Sequence, residues 1–357
     1  MKRPKVKVAL LFGGRSAEHE VSLASASAVY KHIDKTRYNV TSIYIDKTGR
    51  WRRVASPLLP LEKLRGGPSS SFLPWEVLAS PSKRIRADIF FPVLHGPYGE
   101  DGTIQGLLEL ADVPYVGAGV LASAAGMDKA VMKVLFADRK LPIVKHRVIE
   151  EGEWKKSRPT VLGLIREEFT LPVFVKPANL GSSVGISKVK KWEEAGRALA
   201  LAFRYDRKVV VEEGIKGREI ECSVLGNESP RASLPGEVIP HRDFYDYRDK
   251  YLEGKTRFQI PADLPASVIR EVQRLAVEAY RAVECSGLAR LDFFLEDGTG
   301  AIYVNEINTL PGFTEISMYP KLWGVSGIPF GRLIEELIRL GLQRHRRKKR
   351  CLERLAH

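Results

Sequence analysis

Val6-Lys-Val-Ala-Leu-Leu-Phe12 runs directly into Gly13-Gly14, and a helix-like stretch follows from Ser16 to about Ile33. A short apolar run closed by glycines is the pattern of a strand buried on both faces of a parallel sheet. The basic residues before it raise the alternative of a secretion signal. Lys7 interrupts the apolar stretch, however, and a Gly-Gly turn stands where a small-residue cleavage site would be needed. Outward from this point, Asn39–Ile45 and Ile89–Leu94 read as further strands. Residues 56–82, rich in Pro, Ser and Gly, read as loop. Strand and helix alternate in the βαβ manner of a doubly wound α/β sheet.

A second segment begins near Met127. A helix over Asp128–Arg139 leads to a strand, Ile143–Ile149, and another helix follows Pro159, a residue suited to helix starts. Leu171-Pro-Val-Phe-Val-Lys-Pro177 precedes the loop Gly181-Ser-Ser-Val-Gly185. Helix Trp192–Tyr205 and strand Lys208–Glu213 close a small α+β unit. A third segment holds strand Glu219–Leu225 and a polar, aromatic loop around 242–255. It continues with a helix over Ser267–Glu284, two strands, Leu288–Leu295 and Ala301–Ile307, and a helix near Phe330–Leu340. In the Ser267–Glu284 helix, Val268, Val272, Leu275, Ala276, Ala279 and Val283 recur at helical spacing.

The chain carries a formal charge of +14, which favours anionic partners, nucleic acid among them. Part of the excess lies in Arg344-His-Arg-Arg-Lys-Lys-Arg350, and a terminal charge run reads as a solvated tail. The tail has no interleaved aromatic residues on which bases could stack, so no specific nucleic-acid partner is expected. Nor is membrane insertion, since no apolar run reaches the ~18–20 residues of a span. Cys222, Cys285 and Cys351 have neither zinc-site nor disulfide spacing, which is compatible with a reducing cytoplasm.

There is no P-loop. His19-Glu20 opens like a zinc-protease motif, but Leu23 stands where the second histidine belongs. Gly117-Ala-Gly119 lacks the rest of a dinucleotide fingerprint. What remains is a set of polar residues on two late strands. In Arg290-Leu-Asp292 the charged pair shares one face, as do Glu306 and Asn308 in Asn305-Glu-Ile-Asn308, because strand side chains alternate. If those strands are neighbours, one surface carries all four, and its hard oxygens suit Mg²⁺. The bland reading is a solvated face with an ordinary salt bridge. Lys176 beside the Gly181–Gly185 loop could meet phosphate, although such loops are also common hairpin connections. Glu212-Glu213 at a strand end could meet ribose or adenine, although surface carboxylates are common.

Taken in order, these stretches resemble the D-alanine–D-alanine ligases of the ATP-grasp fold. The resemblance rests on Gly13-Gly-Arg-Ser-Ala-Glu18-His-Glu-Val-Ser22 and His95-Gly-Pro-Tyr-Gly-Glu-Asp-Gly-Thr103. It continues through Met127-Asp-Lys129, Lys176-Pro177, Gly181-Ser182-Ser-Val-Gly185 and Phe244-Tyr-Asp-Tyr-Arg-Asp-Lys250-Tyr251. Arg290-Leu-Asp292 and Asn305-Glu306-Ile-Asn308-Thr-Leu-Pro-Gly312 complete it. It spans roughly residues 5 to 340. Pro97-Tyr98 departs from a stretch richer in glycine and arginine in some relatives, and Glu213 stands where some have lysine.

The resemblance implies an N-terminal doubly wound α/β domain over 1–126, followed by a two-domain ATP-grasp fold of α+β type. Its small domain would span 127–213, and its C-terminal domain, with a mobile loop at 242–255, would span 214–342. A basic tail would cover 343–357. It also implies roles. Lys129, Lys176, Glu212 and Glu219 would bind ATP, and Asp292, Glu306 and Asn308 would hold two Mg²⁺ ions, with Mn²⁺ as a substitute. Glu18 would meet the ammonium of the first D-alanine and be linked through Ser182 to Tyr251. Arg290 and the Gly312 N–H would stabilise a tetrahedral intermediate. Ser317 would bind the second D-alanine's carboxylate, with Met318 beside it, and Lys250 would reach the transferring phosphate.

The implied reaction joins two D-alanines through an acyl phosphate, for cell-wall peptidoglycan, in a cytoplasmic homodimer. A ligase taking D-lactate as acceptor is the nearest alternative, and the complete Phe244–Tyr251 stretch argues against it. Another ATP-grasp carboxylate–amine ligase would lack the Glu18–Ser182–Tyr251 set.

Overall fold

The computed structural model describes residues 4–65, 71–74, 85–181, 184–240 and 256–353. The opening run forms β1 (Val6–Gly13), parallel on one side to β2 (Tyr38–Ile45) and on the other to β5 (Ile89–Val93). Antiparallel β3 (Trp51–Val54) and β4 (Ser71–Phe72) extend the far edge, giving the order β4-β3-β2-β1-β5. Both faces of β1 are covered, which is why its sequence does not alternate in polarity. Val8, Leu10 and Phe12 pack with Ala26 and Val29 of helix α1 (His19–His32), whereas Ala9 and Leu11 pack with Ile104 and Leu108 on the other side. The stretch 56–82 is not all loop: it includes a short helix, α2 (Leu61–Arg65), and β4. The Ile104 face belongs to α3 (Thr103–Leu110).

Helix α4 (Val120–Met127) leads into α5 (Lys129–Asp138), whose first turn is capped by the Asp128 carboxylate accepting from Ala130 and Val131 N–H. A four-stranded antiparallel sheet follows, in the order β6 (His146–Glu150), β9 (Lys208–Glu213), β7 (Val173–Pro177), β8 (Ser187–Val189). The strand expected from Ile143 starts only at His146; Ile143 instead makes an isolated bridge to Val304 in the next sheet. Helices α6 (Glu151–Lys156), α7 (Arg158–Glu168) and α8 (Trp192–Ala202) cover one face.

The third sheet is antiparallel, with the path β13 (Arg257–Gln259), β12 (Gly236–Ile239), β10 (Gly217–Gly226), β14 (Gly287–Glu296), β15 (Ile302–Asn308), and β11 (Arg231–Ala232) on β10. Its buried face packs on α9 (Ala266–Ala282) and on Met132 and Phe136 of α5. Leu291 and Phe293 alternate normally on β14, but the buried residues of β15, Val304 and Ile307, are three apart. The ladder reconciles them by a register shift between Asp292 and Phe293, which leaves Asn305 as the extra residue. The bulge keeps both apolar residues in the core and sends Glu306 and Asn308 to the opposite face.

The chain ends in α10 (Met318–Val325) and α11 (Phe330–Glu353). Leu333, Ile334, Leu337, Ile338 and Leu340 of α11 close the core around β1 and α1. The expected solvated tail is therefore corrected: the helix runs on through 343–353. Arg344 donates to the backbone carbonyls of Gly117 and Tyr115 and to Ser286 Oγ, and lies over the Tyr115 ring at 4.1 Å. Arg347 pairs with Glu228 and Lys348 with Glu109. Charge patterning could not reveal these partners, because they lie 58 to 239 residues away in sequence.

Candidate active site

The polar face of the third sheet carries two rows of side chains. Across three neighbouring strands, Glu221 of β10 is opposite Asp292 of β14, and Asp292 is opposite Glu306 of β15. In the adjoining row, Ser223, Arg290 and Asn308 are opposite one another. Like charges directly across strands repel. Arg290 offsets this: its Nε and Nη2 donate to Asp292 Oδ1 and Oδ2 at 2.6 and 2.7 Å, and its Nε is 3.1 Å from Glu221 Oε2. These carboxylates hold the guanidinium firmly charged despite its burial. Glu221 escaped the sequence reading, although it stands two residues after Glu219 on one strand.

This face forms the floor of a cleft of about 670 Å³. Glu18, Lys129, Arg290, Glu306, Asn308, Gly312, Ser317 and Met318 all line it, as do Glu221, His95 and Glu100. Eight of the residues expected from the sequence thus meet in one place, drawn from all three sheets' surroundings. Asp292 adjoins the cleft through its pairing with Arg290 and Glu306. Ser182, Lys250 and Tyr251, and with them the Glu18–Ser182–Tyr251 link, lie outside the described residues.

Glu18 enters from the turn before α1, and its surroundings explain the glycine at position 96. A Cβ on Gly96 would lie 2.8 Å from Glu18 Oε2, and φ there is +76°. A Cβ on Gly181 would lie 3.7 Å from the same oxygen. Backbone from two loops therefore closes around one carboxylate.

His95, 4% exposed, ties this wall to the segment carrying Gly312. Its Nδ1 faces the Leu310 carbonyl at 3.0 Å, so that nitrogen carries the proton. Burial disfavours the charged ring, and Nε2 then accepts from Ser25 Oγ at 2.9 Å. Ser25 in turn accepts the Phe313 N–H at 3.3 Å. Glu100 accepts the Gly96 N–H at 2.7 Å. Burial, with the Glu18 charge nearby, pushes its carboxyl up to about 8. Neither His95 nor Glu100 stood among the expected site residues, although both lie in the quoted His95–Thr103 stretch.

Three lysines gather on the other side, of which Lys129 lines the cleft. Lys129 donates to the Leu180 carbonyl at 2.7 Å and sits 3.7 Å from Glu306. Lys176 donates to Glu212 Oε2 at 2.6 Å, and Lys133 lies 3.0 Å from Glu212 Oε1. Glu212 is thus no open carboxylate: it is 2% exposed, and the two ammonium groups hold it well below the usual carboxylate range. Glu219 acts on Lys176 through its charge from the neighbouring sheet. At the far end, Ser317 precedes α10, and its Oγ accepts the Thr314 N–H at 3.0 Å beside Gly312.

The oxygens fit a hard divalent cation only in part. Among the described residues no group of three or more acidic, histidine or cysteine side chains converges as a metal site, because Arg290 occupies Asp292. Asp292, Glu306 and Asn308 nevertheless lie adjacent on one face. Mg²⁺ commonly takes one or two carboxylates and completes its shell with water and phosphate oxygens. The donor set fits that mode rather than an all-protein cage.

A small antiparallel sheet presenting lysines, set over a larger one presenting an acidic face and preceded by a doubly wound unit, is the architecture of the ATP-grasp ligases. Residues 7–118 match the family described as D-ala D-ala ligase N-terminus, and 135–339 match D-ala D-ala ligase C-terminus. A D-alanine–D-alanine ligase of Solibacter usitatus is 52% identical over 345 residues, covering 97% of this chain and 98% of its own. One of Heliobacterium modesticaldum is 49% identical, covering 98% and 99%. Among solved structures, the D-alanine–D-alanine ligase from Coxiella burnetii aligns with a TM-score of 0.82 at 36% identity, covering 99% of each chain. The VanG D-Ala:D-Ser ligase from Enterococcus faecalis aligns at 0.84 and 34%, covering 95% of this chain and 100% of that one. The chain belongs to the D-alanine–D-alanine ligase family.

Proposed function

We propose that the protein joins two D-alanines into D-alanyl-D-alanine at the expense of ATP, for cell-wall synthesis. The observation that carries this reading is the convergence of Glu18, Arg290, Gly312 and Ser317 on one cleft beside Lys129 and Glu306. The carboxylate of the first D-alanine attacks the γ-phosphate of ATP, releasing ADP and giving an acyl phosphate. The amine of the second then attacks the carbonyl carbon, and phosphate leaves with the C–O bond electrons.

Each chain residue has a task. Glu18 holds the first substrate's ammonium and so orients its carboxylate. Lys129 and Lys176 meet phosphate charge, and Glu212 acts by aiming Lys176, with Glu219 on the nucleoside side. Arg290 and the Gly312 N–H face the oxygen that becomes negative in the tetrahedral intermediate. Ser317, at the N-terminus of α10, receives the second substrate's carboxylate, where helix-end N–H groups favour an anion. Met318, 5% exposed, gives that subsite an apolar wall. Ser182, Tyr251 and Lys250 belong to the same proposal as the link to Glu18 and the phosphate contact. A divalent cation, Mg²⁺ or Mn²⁺, held by Asp292, Glu306 and Asn308 would neutralise phosphate charge.

We also propose a division into units at 1–126, 127–213 and 214–342, supported by each range holding the strands of one sheet. We further place the enzyme in the cytoplasm, where ATP is available, as a homodimer. No helix among the described residues is long and apolar enough to cross a membrane. The test is phosphate release from ATP with D-alanine alone and with D-serine or D-lactate added, followed by product analysis. Release dependent on D-alanine, with the dipeptide as main product, is expected. Release without D-alanine, or a mixed product favouring another acceptor, would overturn the assignment.

A further inference from the structure

Lys133 has no place in the reaction as set out above, yet it is 0% exposed. It stands one turn beyond Lys129 on α5, between Met132 and Phe136 toward the core, where a leucine or methionine would pack at no electrostatic cost. Taking an ammonium out of water costs several kcal/mol unless it is well paired. Its pairing is singular: the ammonium lies 3.0 Å from Glu212 Oε1, while the other oxygen of that carboxylate takes Lys176 at 2.6 Å. The Lys133 contact is close but poorly aligned as a hydrogen bond. It acts mainly through charge.

Two consequences follow for the cleft. With both oxygens occupied, Glu212 cannot rotate, and Lys176 keeps one direction. Lys176 with Glu212 alone would be a neutral pair; burial works against the Lys133 ammonium and Glu212 works for it, and the protonated lysine adds a surplus positive charge to the cluster. Both lysines also feel the charge of Glu306 on the cleft floor.

We propose that Lys133 is a positioning residue for the nucleotide's phosphates: it clamps Glu212, and through Glu212 it fixes the aim and net charge of Lys176. This rests on the ATP reading above.

The test compares adenosine with ADP as calorimetric ligands of the full-length protein. Lys133→Met is expected to stay folded by circular dichroism. It should weaken ADP by about tenfold or more while adenosine changes by less than about threefold. The KM for ATP should rise, and the KM for D-alanine should not. Lys133→Gln, which keeps a donor for Glu212 without charge, should behave alike, and it carries the test if the methionine variant does not fold. Equal weakening of both ligands, or of neither, overturns the proposal. In a cycle with Lys176→Met, the double variant should lose no more ADP affinity than Lys176→Met alone; multiplied losses overturn the relay through Lys176. An unmodified protein that binds neither ligand removes the ATP reading itself. Normal binding by that protein, with no selective loss in the Lys133 variants, removes only this inference.

Discussion

Arg344 is where the structure departs furthest from the simple expectation of a solvated basic end, and its replacement by methionine gives a sharp energetic test. Methionine keeps most of the aliphatic stem and removes the guanidinium. Three hydrogen bonds go with it, to the Tyr115 and Gly117 carbonyls and to Ser286 Oγ. So does the stack on Tyr115, itself 2% exposed. A hydrogen bond from a charged donor contributes about 1.5–3 kcal/mol, and a cation over an aromatic ring about 0.5–1 kcal/mol at a partly exposed site. One guanidinium cannot realise three full bonds when it is partly solvated, so a total near 3 kcal/mol is expected. Arg347→Ala and Lys348→Ala serve as controls, because exposed ion pairs contribute only about 0–1 kcal/mol. Urea denaturation followed by circular dichroism supplies the measurement, with initial rates per folded molecule recorded alongside. Arg344→Met should shift the midpoint clearly and the controls barely, while the folded fraction keeps its rate, since Arg344 does not line the cleft. Truncation after Leu342 should show the Arg344 loss with little added. An Arg344→Met protein within about 0.5 kcal/mol of the parent, or controls as damaging as Arg344→Met, would mean that Arg344 does not anchor the helix end.

Glu306→Gln should raise the Mg²⁺ concentration needed for half-maximal rate and lower turnover by orders of magnitude while leaving the fold intact; an unchanged rate at limiting Mg²⁺ counts against the metal assignment. Glu100 holds its proton in the folded state up to about pH 8, whereas an unfolded chain ionises near the ordinary carboxylate value. The folded protein therefore loses stability as pH rises between those two points, by up to roughly 5 kcal/mol. Glu100→Gln lacks this loss, so its stability relative to the parent should climb from pH 5 to pH 8, and a flat difference would show that Glu100 is ionised in the fold. Gly96→Ala puts a Cβ 2.8 Å from Glu18 Oε2 at a φ of +76°. It should raise the KM for D-alanine with little change in that for ATP, and an unaltered D-alanine KM would remove Glu18 from the first subsite.

How much of this could be read beforehand depends on the kind of signal. β1 was legible because burial on both faces leaves an unbroken apolar run, and the Arg290/Asp292 face because two-residue alternation is geometric. The bulge at Asn305 was written in the sequence too, since Val304 and Ile307 cannot both face a core across a regular strand, but only the partner strand shows where the extra residue goes. Glu221 and Lys133 were not legible. Each is an ordinary charged residue on an amphipathic element, and its meaning comes from a partner on another strand or sheet.

The residues of the cleft are scattered along the chain for a geometric reason. A single strand can place like side chains only about two residues apart on one face, so a row of carboxylates has to be assembled across strands. Glu221, Asp292 and Glu306 form such a row, and its mutual repulsion must be offset nearby. Arg290 offsets part of it from the adjoining row, and Lys129 offsets part from a different unit, 3.7 Å from Glu306. An arrangement balanced this way is sensitive to arriving charge. A polyphosphate would draw on the lysines and a cation on the carboxylates, so each would find its counter-charge already in place and be better held with the other present. The expected signature is reciprocal: ADP should tighten Mg²⁺ binding by the same factor as Mg²⁺ tightens ADP. Calorimetric titration of each ligand in the presence and absence of the other measures both factors. Independent binding would mean that the acidic row and the lysines are not parts of one site.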